Sequence, residues 1–300
     1  MDQGVLFEQV DSGQQNDHEC RGGQHRNSDA EEGLHTAGTV DGSSLIQIIG
    51  NAVDTADVED HVEADGRPNR CERDDKGGKW LYGEKATKQA NYRMIPNGVN
   101  LKRFAFCEEK RQQMRQELGI AKDTFVLGHI GRITAPKNHQ FLAELFAEYH
   151  KENPNSRLLL IGNGELFETV QQQCVQLGIS DAVIMVGSKT NTEDYYQAMD
   201  VFVFPSLWEG LPVSVVEAQA NGLPCLLSDV ITHDVDLTDQ VKYLSLTDKK
   251  AWLREVADIQ RKPRIATTAE NMVRLQPFDA TVVAKQLQSF YLEQDERARR

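Results

Sequence analysis

The sequence has no C-x-x-C pair, no apolar run approaching the ~18 residues of a bilayer-spanning helix, and no charged-then-apolar pattern at its start. Its five cysteines (Cys20, Cys71, Cys107, Cys174 and Cys225) are odd in number and widely spaced. That spacing argues against a disulfide framework or a zinc site and fits a reducing cytoplasm. Cys225, in the stretch Pro224–Ser228 that reads as a buried strand, reads as a packing residue. Without a signal pattern, a soluble cytoplasmic protein is expected, with peripheral contact at the inner membrane face left open. No domain has a basic surplus either. Residues 1–75 hold 18 acidic and 5 basic side chains, and the other 225 hold 28 of each, so the formal charge of −13 belongs to the first quarter. Nucleic acid is therefore not expected as a partner. Four of the eight histidines lie in that same quarter, and no metal-binding constellation is formed by the rest.

Residues 1–75 contain no lysine and one aromatic residue, Phe7, and only Ser44–Val53 offers an apolar cluster. Too little surface can be buried there to offset ordering entropy, so disorder is expected. A shifted reading frame or misplaced start is the alternative origin for this leader.

From Lys76 onward, short apolar runs alternate with helical periodicities. Helices are expected over Lys79–Gln89, His139–Glu152, Leu166–Leu177, Glu193–Met199, from near Pro212, Lys249–Ile259 and Thr281–Leu292. Strands are expected over Tyr92–Ile95, Phe125–Gly131, Arg157–Ile161, Ala182–Gly187, Val201–Pro205, Pro224–Ser228 and Tyr243–Leu246. Pro96-Asn97-Gly98 is a turn signal. Strands of four to six residues alternating with helices indicate parallel βαβ units, hence an α/β, doubly wound, Rossmann-like sheet.

In such a sheet, ligands bind beyond the carboxyl ends of the strands. Gly131-Arg132 and Lys137 follow the first strand of the series. An arginine fork and a lysine point charge suit a diphosphate, although two solvated loop cations would look the same. Gly162 and Gly164 permit close backbone approach to a ligand or simply end a strand. Ser188, Lys189 and Thr190 line a base pocket or form a polar turn. The stretch Glu209-Gly210-Leu211-Pro212-Val213-Ser214-Val215-Val216-Glu217 puts one carboxylate on a loop and a second inside the next helix. With Pro212 in the first turn, Glu217 lies about 7–8 Å along the axis. That separation suits two parts of one extended ligand better than a hydrolase pair about 5 Å apart. Carboxylates accept from sugar hydroxyls, and the amides of Gly210 to Val213 with the Ser214 hydroxyl would serve phosphates. The bland alternative is a helix-end charge and a solvated helix position. His129, inside an apolar strand, reads as a core histidine rather than a base. Trp208 either packs beneath the glutamate loop or faces an acceptor.

Gly131-Arg132…Lys137, Gly162-Asn163-Gly164, Asp200–Ser206 and Glu209-Gly210-Leu211-Pro212…Glu217-Ala218 together resemble the carboxyl-terminal half of group 1 glycosyltransferases, retaining enzymes of family 4 with the GT-B fold. Pro96-Asn97-Gly98-Val99 resembles the family's inter-domain junction, and Lys79–Gly83 the end of its first domain. The resemblance implies a first-domain remnant and junction over 76–119 and a nucleotide-sugar-binding domain over 120–295. It also implies that Arg132 and Lys137 hold the donor diphosphate, that Glu209 contacts the donor sugar and Glu217 the ribose, and that the loop after Gly187 faces the base. The implied reaction transfers a sugar from a nucleotide-diphospho-sugar to a glycan or lipid-linked acceptor with retention, in polysaccharide synthesis, with no metal cofactor. Relatives bind acceptor on an amino-terminal Rossmann-like domain, for which residues 1–75 offer no counterpart. A non-catalytic nucleotide-sugar-binding fragment and a 2-epimerase-like isomerase are the alternative readings.

Overall fold

The computed structural model describes Lys85, Arg93 and residues 95–300. Six strands build one sheet: β1 (Phe125–Ile130), β2 (Ser156–Ile161), β3 (Val183–Met185), β4 (Val201–Phe204), β5 (Cys225–Ser228) and β6 (Val241–Leu244). Every pairing is parallel, and the spatial order is 3-2-1-4-5-6. This is the doubly wound Rossmann order, whose switch point lies between β1 and β4.

The helices are α1 (Leu101–Phe104), α2 (Glu108–Glu117), α3 (His139–Glu152), α4 (Phe167–Gln176), α5 (Thr192–Ala198), α6 (Val213–Ala220), α7 (Lys249–Gln260), α8 (Ala269–Leu275) and α9 (Ala280–Ala298). They cover both faces, so β1 and β4 are buried along their whole length, as a parallel sheet requires. Alternate strand residues divide between two cores. Val126, Leu159, Ile161, Phe202 and Phe204 pack on one side, and Leu127, Leu158, Leu160, Val201 and Val203 on the other. Val99, Leu101, Phe104 and Met114 join the first of these.

Several boundaries differ from expectation for identifiable reasons. Strand β3 stops at Met185 and begins after a 3-10 turn at Ser180–Ala182, because at the sheet edge it pairs with β2 alone. Strand β6 sits two residues earlier than its apolar pattern suggests, since Cys225 pairs with Val241. Pro212 is the N-cap of α6, not a residue of its first turn. Arg93 and Ile95 are not in a strand. The remainder of the expected 92–95 strand, and the helix over 79–89 apart from helical Lys85, lie outside the described residues, as does the whole 1–75 leader. The Asn97-Gly98 segment instead meets α9. Val99 bridges Asp279, and a side chain at Gly98 would come within 2.8 Å of the Ala280 backbone.

Helices α1, α2 and α8 have no counterpart among the expected elements. α2 (EEKRQQMRQE) has no apolar stripe, and charge holds it in place. Arg111 donates to the carbonyls of Gln197 and Met199 (2.9 Å each) and to Asp200 (2.5 Å). Arg115, almost wholly buried, donates to the Ala198 carbonyl (3.0 Å), to Asp200 (3.3 Å) and to the Thr124 carbonyl. Asp200 also accepts from the Val126 amide at 2.7 Å. These bonds take up carbonyls that the end of α5 leaves unmatched.

Candidate functional site

The sheet order makes the loops after β1 and β4 neighbours at the switch point. Direct bonds then join them. The Leu207 amide donates to the Pro136 carbonyl (2.7 Å), and Asn138 donates its side-chain amide to the Pro205 carbonyl (3.1 Å). Asn138 has φ +55°, a left-handed conformation that asparagine tolerates better than most residues. It turns the chain from the loop into α3.

Lys137 and Glu209 meet across this junction. Lys137 Nζ donates to Glu209 Oε1 at 2.7 Å and lies 4.9 Å from the centre of the Phe204 ring. The side chains are 20% and 12% exposed, so a ligand entering the crevice can reach both. Gly210, beside Glu209, has open space where a side chain would point.

Arg132 is exposed and lines a hollow of about 600 Å³ together with Gly162, Asn163, Gly164, Glu165 and Ser188. The glycines are required by the protein itself. At Gly162 (φ +143°) a Cβ would stand 1.9 Å from the Gly131 carbonyl oxygen, and at Gly164 one would stand 2.3 Å from that of Ile133. The loop after β2 therefore packs backbone to backbone on the loop that carries Arg132. The bond from the Ile133 amide to the Asn163 carbonyl (3.0 Å) fixes that contact.

At the start of α6, no side chain caps the helix, and the first recorded bond runs from the Val215 amide to the Pro212 carbonyl (3.0 Å). The amides of Gly210, Leu211, Val213 and Ser214 thus remain as donors at the positive end of the helix; Pro212 has none to offer. Glu217 does not line the Arg132 hollow. It lies one turn further along α6, where its Oε2 is 2.8 Å from the Tyr196 hydroxyl, itself 2.9 Å from the Ser214 carbonyl. Burial raises the Glu217 carboxyl to about 7, opposed by the Tyr196 hydrogen bond. The hydroxyl has one proton for two acceptors.

Near Lys137 lie two buried histidines, His129 and His139. His129 is 0% exposed, and its Nδ1 donates to the Val203 carbonyl (2.9 Å). The ring stacks on Phe204 and meets His139 edge to face, with centres 4.7 Å apart. His129 Nε2 and both His139 ring nitrogens have no hydrogen-bond partner. Burial lowers both histidines, His139 to about 4, and Lys137 adds repulsion to each. His129 is thus a core residue, as its apolar strand suggests. The His139 contact and the Tyr196 link to Glu217 escaped sequence reasoning, because each joins residues from different elements. Trp208 is 56% exposed beside the glutamate loop rather than packed beneath it. Among the described residues no group of three His, Cys, Asp or Glu is placed to hold a metal ion, and no helix is long and apolar enough to cross a membrane.

The family model for glycosyl transferases group 1 matches residues 110–259. The Escherichia coli UDP-Gal:alpha-D-GlcNAc-diphosphoundecaprenol alpha-1,3-galactosyltransferase is 36% identical over 141 residues, 46% of this chain and 36% of that protein. The alpha-monoglucosyldiacylglycerol synthase of Acholeplasma laidlawii is 29% identical over 209 residues, 67% of this chain and 52% of its own length. The chain spans about half the length, or less, of these curated relatives. Among solved structures, Anabaena Alr3699/HepE in complex with UDP superposes with a TM-score of 0.59 at 20% identity, over 70% of this chain and 60% of that one. That likeness is one of fold.

Proposed function

The chain belongs to the group 1 glycosyl transferases, and from that premise we propose that its switch-point crevice holds a nucleotide-diphospho-sugar donor. The chain would then be the donor-binding half of a retaining hexosyltransferase acting on a glycan or lipid-linked acceptor in polysaccharide or glycolipid synthesis. One observation carries this reading. The Lys137–Glu209 pair, the Arg132 loop and the unbonded amides at the start of α6 all face the same end of adjacent strands β1 and β4.

Arg132 and Lys137 meet the diphosphate, and the α6 amides donate to its remaining oxygens. Lys137 shifts from Glu209 to the phosphate as donor enters, which frees the Glu209 carboxylate to accept from sugar hydroxyls. Glu217 ionises and accepts from the two ribose hydroxyls. Ser188 and the loop after Gly187 flank the base. In the transfer step the bond from the anomeric carbon to the diphosphate oxygen breaks, a bond to the acceptor oxygen forms on the same face, and the acceptor hydroxyl's proton passes to the departing diphosphate oxygen. Negative charge gathers on the leaving diphosphate, where fixed cations and amide dipoles stabilise it without solvent reorganisation. On this reading the reaction uses no resident metal.

Calorimetry with UDP and GDP, followed by turnover of their sugars and NMR assignment of the product anomer, tests the proposal. Binding with transfer and retention is expected. Binding without transfer would reduce the chain to a nucleotide-sugar-binding unit, and an epimerised product would make it an isomerase. No binding of either nucleotide would reject the donor site itself.

A further inference from the structure

Tyr196, on α5, is fully buried, and the core sets the position of its ring. Phe104 of α1 meets it edge to face and Phe202 of β4 lies tilted against it, each with ring centres 5.7 Å away. The hydroxyl, by contrast, reaches polar groups. It stands 2.8 Å from Glu217 Oε2 and 2.9 Å from the Ser214 carbonyl, positions one turn apart on α6. The Ser214 amide belongs to the donor set at the start of that helix, and Glu217 itself is only half-buried. One hydroxyl from a neighbouring helix thus touches both the carboxylate and the helical turn that the donor reading assigns to ribose and diphosphate.

An ionised carboxylate is a stronger acceptor than a carbonyl, so with Glu217 charged the Tyr196 proton lies on Oε2. Burial pushes the Tyr196 hydroxyl well above its ordinary range, which keeps it a donor wherever Glu217 titrates. For Glu217, burial disfavours the charged form, and the Tyr196 bond is the largest effect opposing burial. The charged side chains facing the same carboxylate are Glu193 of α5, which adds to burial, and Arg103 of α1, which adds to Tyr196. Tyr196 bonds Glu217 directly, whereas Arg103 directs its bond to Glu193, at 2.7 Å.

We propose that Tyr196 is the positioning residue of the ribose site, an inference that rests on the donor reading above. Its hydroxyl pins Glu217 Oε2 against α6 and leaves Oε1, with both its lone pairs, to accept from the ribose hydroxyls. It also favours the charged form of Glu217, the form that accepts. Selection of ribonucleotides over deoxyribonucleotides then depends on a side chain with no surface of its own in the crevice.

Calorimetry of the full chain with UDP and its deoxyribose analogue, below and above pH 7, tests this in the parent, Tyr196→Phe, Glu217→Gln and the double variant. Phenylalanine keeps the packed ring and removes only the hydroxyl. Tyr196→Phe should weaken UDP about tenfold above pH 7 and weaken the deoxyribose analogue less. It should also move the rise of UDP affinity with pH to more alkaline values, because the carboxylate has lost a donor. In the Glu217→Gln background it should add little. An equal loss for both nucleotides, an unmoved pH profile, or a full additional loss in the Glu217→Gln background would make Tyr196 merely structural and overturn the inference. A parent that binds no UDP would instead reject the donor site, and this inference with it. If Tyr196→Phe does not fold, the Tyr196 Cζ resonance of the parent decides by NMR. It should shift with pH at the midpoint of the rise in UDP affinity, and that shift should vanish in Glu217→Gln. A parent resonance flat across pH 7 would overturn the proposal.

Discussion

Both ends of the sheet pair cations with a carboxylate, yet they do different work. At the amino end, Asp200 is held by two arginines and a backbone amide, and those arginines also bind three carbonyls at the end of α5. At the carboxyl end, Lys137 and Glu209 share one bond in an accessible crevice. A charge with many fixed partners acts as a structural tie, and one with a single exchangeable partner can be handed to a ligand. Number of bonds and access separate the two roles, whereas residue type does not.

Breaking the amino-end tie should have the largest effect. Asp200→Ala leaves two buried guanidinium groups uncompensated, and denaturant unfolding should show a loss of about 3–5 kcal/mol. A loss below 1 kcal/mol would erase the distinction between the two ends. At the other edge, Arg132→Ala should weaken UDP binding by about 1.5–3 kcal/mol, the scale of a charged hydrogen bond. Because Arg132 is exposed, stability should move by no more than about 0.5 kcal/mol. Unchanged affinity in calorimetry would remove Arg132 from the site.

Glu217 sharpens the comparison through pH. Its folded value, raised to about 7, lies above the ordinary carboxyl range. It therefore stabilises the unliganded fold fully below about pH 4.5, and that contribution is lost as pH rises through 7. UDP affinity should move in the opposite direction, rising through pH 7 as the carboxylate forms. Glu217→Gln should flatten both trends, and it should weaken ribonucleotides more than their deoxyribose analogues. A stability profile identical in variant and parent would show that Glu217 is already ionised in the fold. The smallest change is expected at Trp208, whose exposed side chain can be cut to alanine at a cost within about 0.5 kcal/mol of stability. A larger loss in thermal unfolding would mean that it supports the glutamate loop.

The βαβ series was legible because parallel strands buried on both faces read as unbroken apolar runs. The Arg132, Lys137 and Glu209 positions were legible as loop residues at strand ends. α2 was not, since its stability comes from two arginines reaching carbonyls some 85 residues away, and no local periodicity records that. The glycines at 162 and 164 were visible as glycines, but their reason was not. Only the folded arrangement shows the Gly131 and Ile133 carbonyls standing where side chains would be. Tyr196 likewise sits in a helix whose sequence gives no hint that its hydroxyl reaches Glu217.

The backbone contact between the loops after β2 and β1 has an engineering consequence. With no side chain between them to absorb a change, one methyl group added at Gly162 must displace the Gly131 carbonyl and carry the neighbouring guanidinium with it. If the crevice holds a donor as proposed, its affinity should therefore respond to a substitution at Gly162, thirty places along the chain from Arg132.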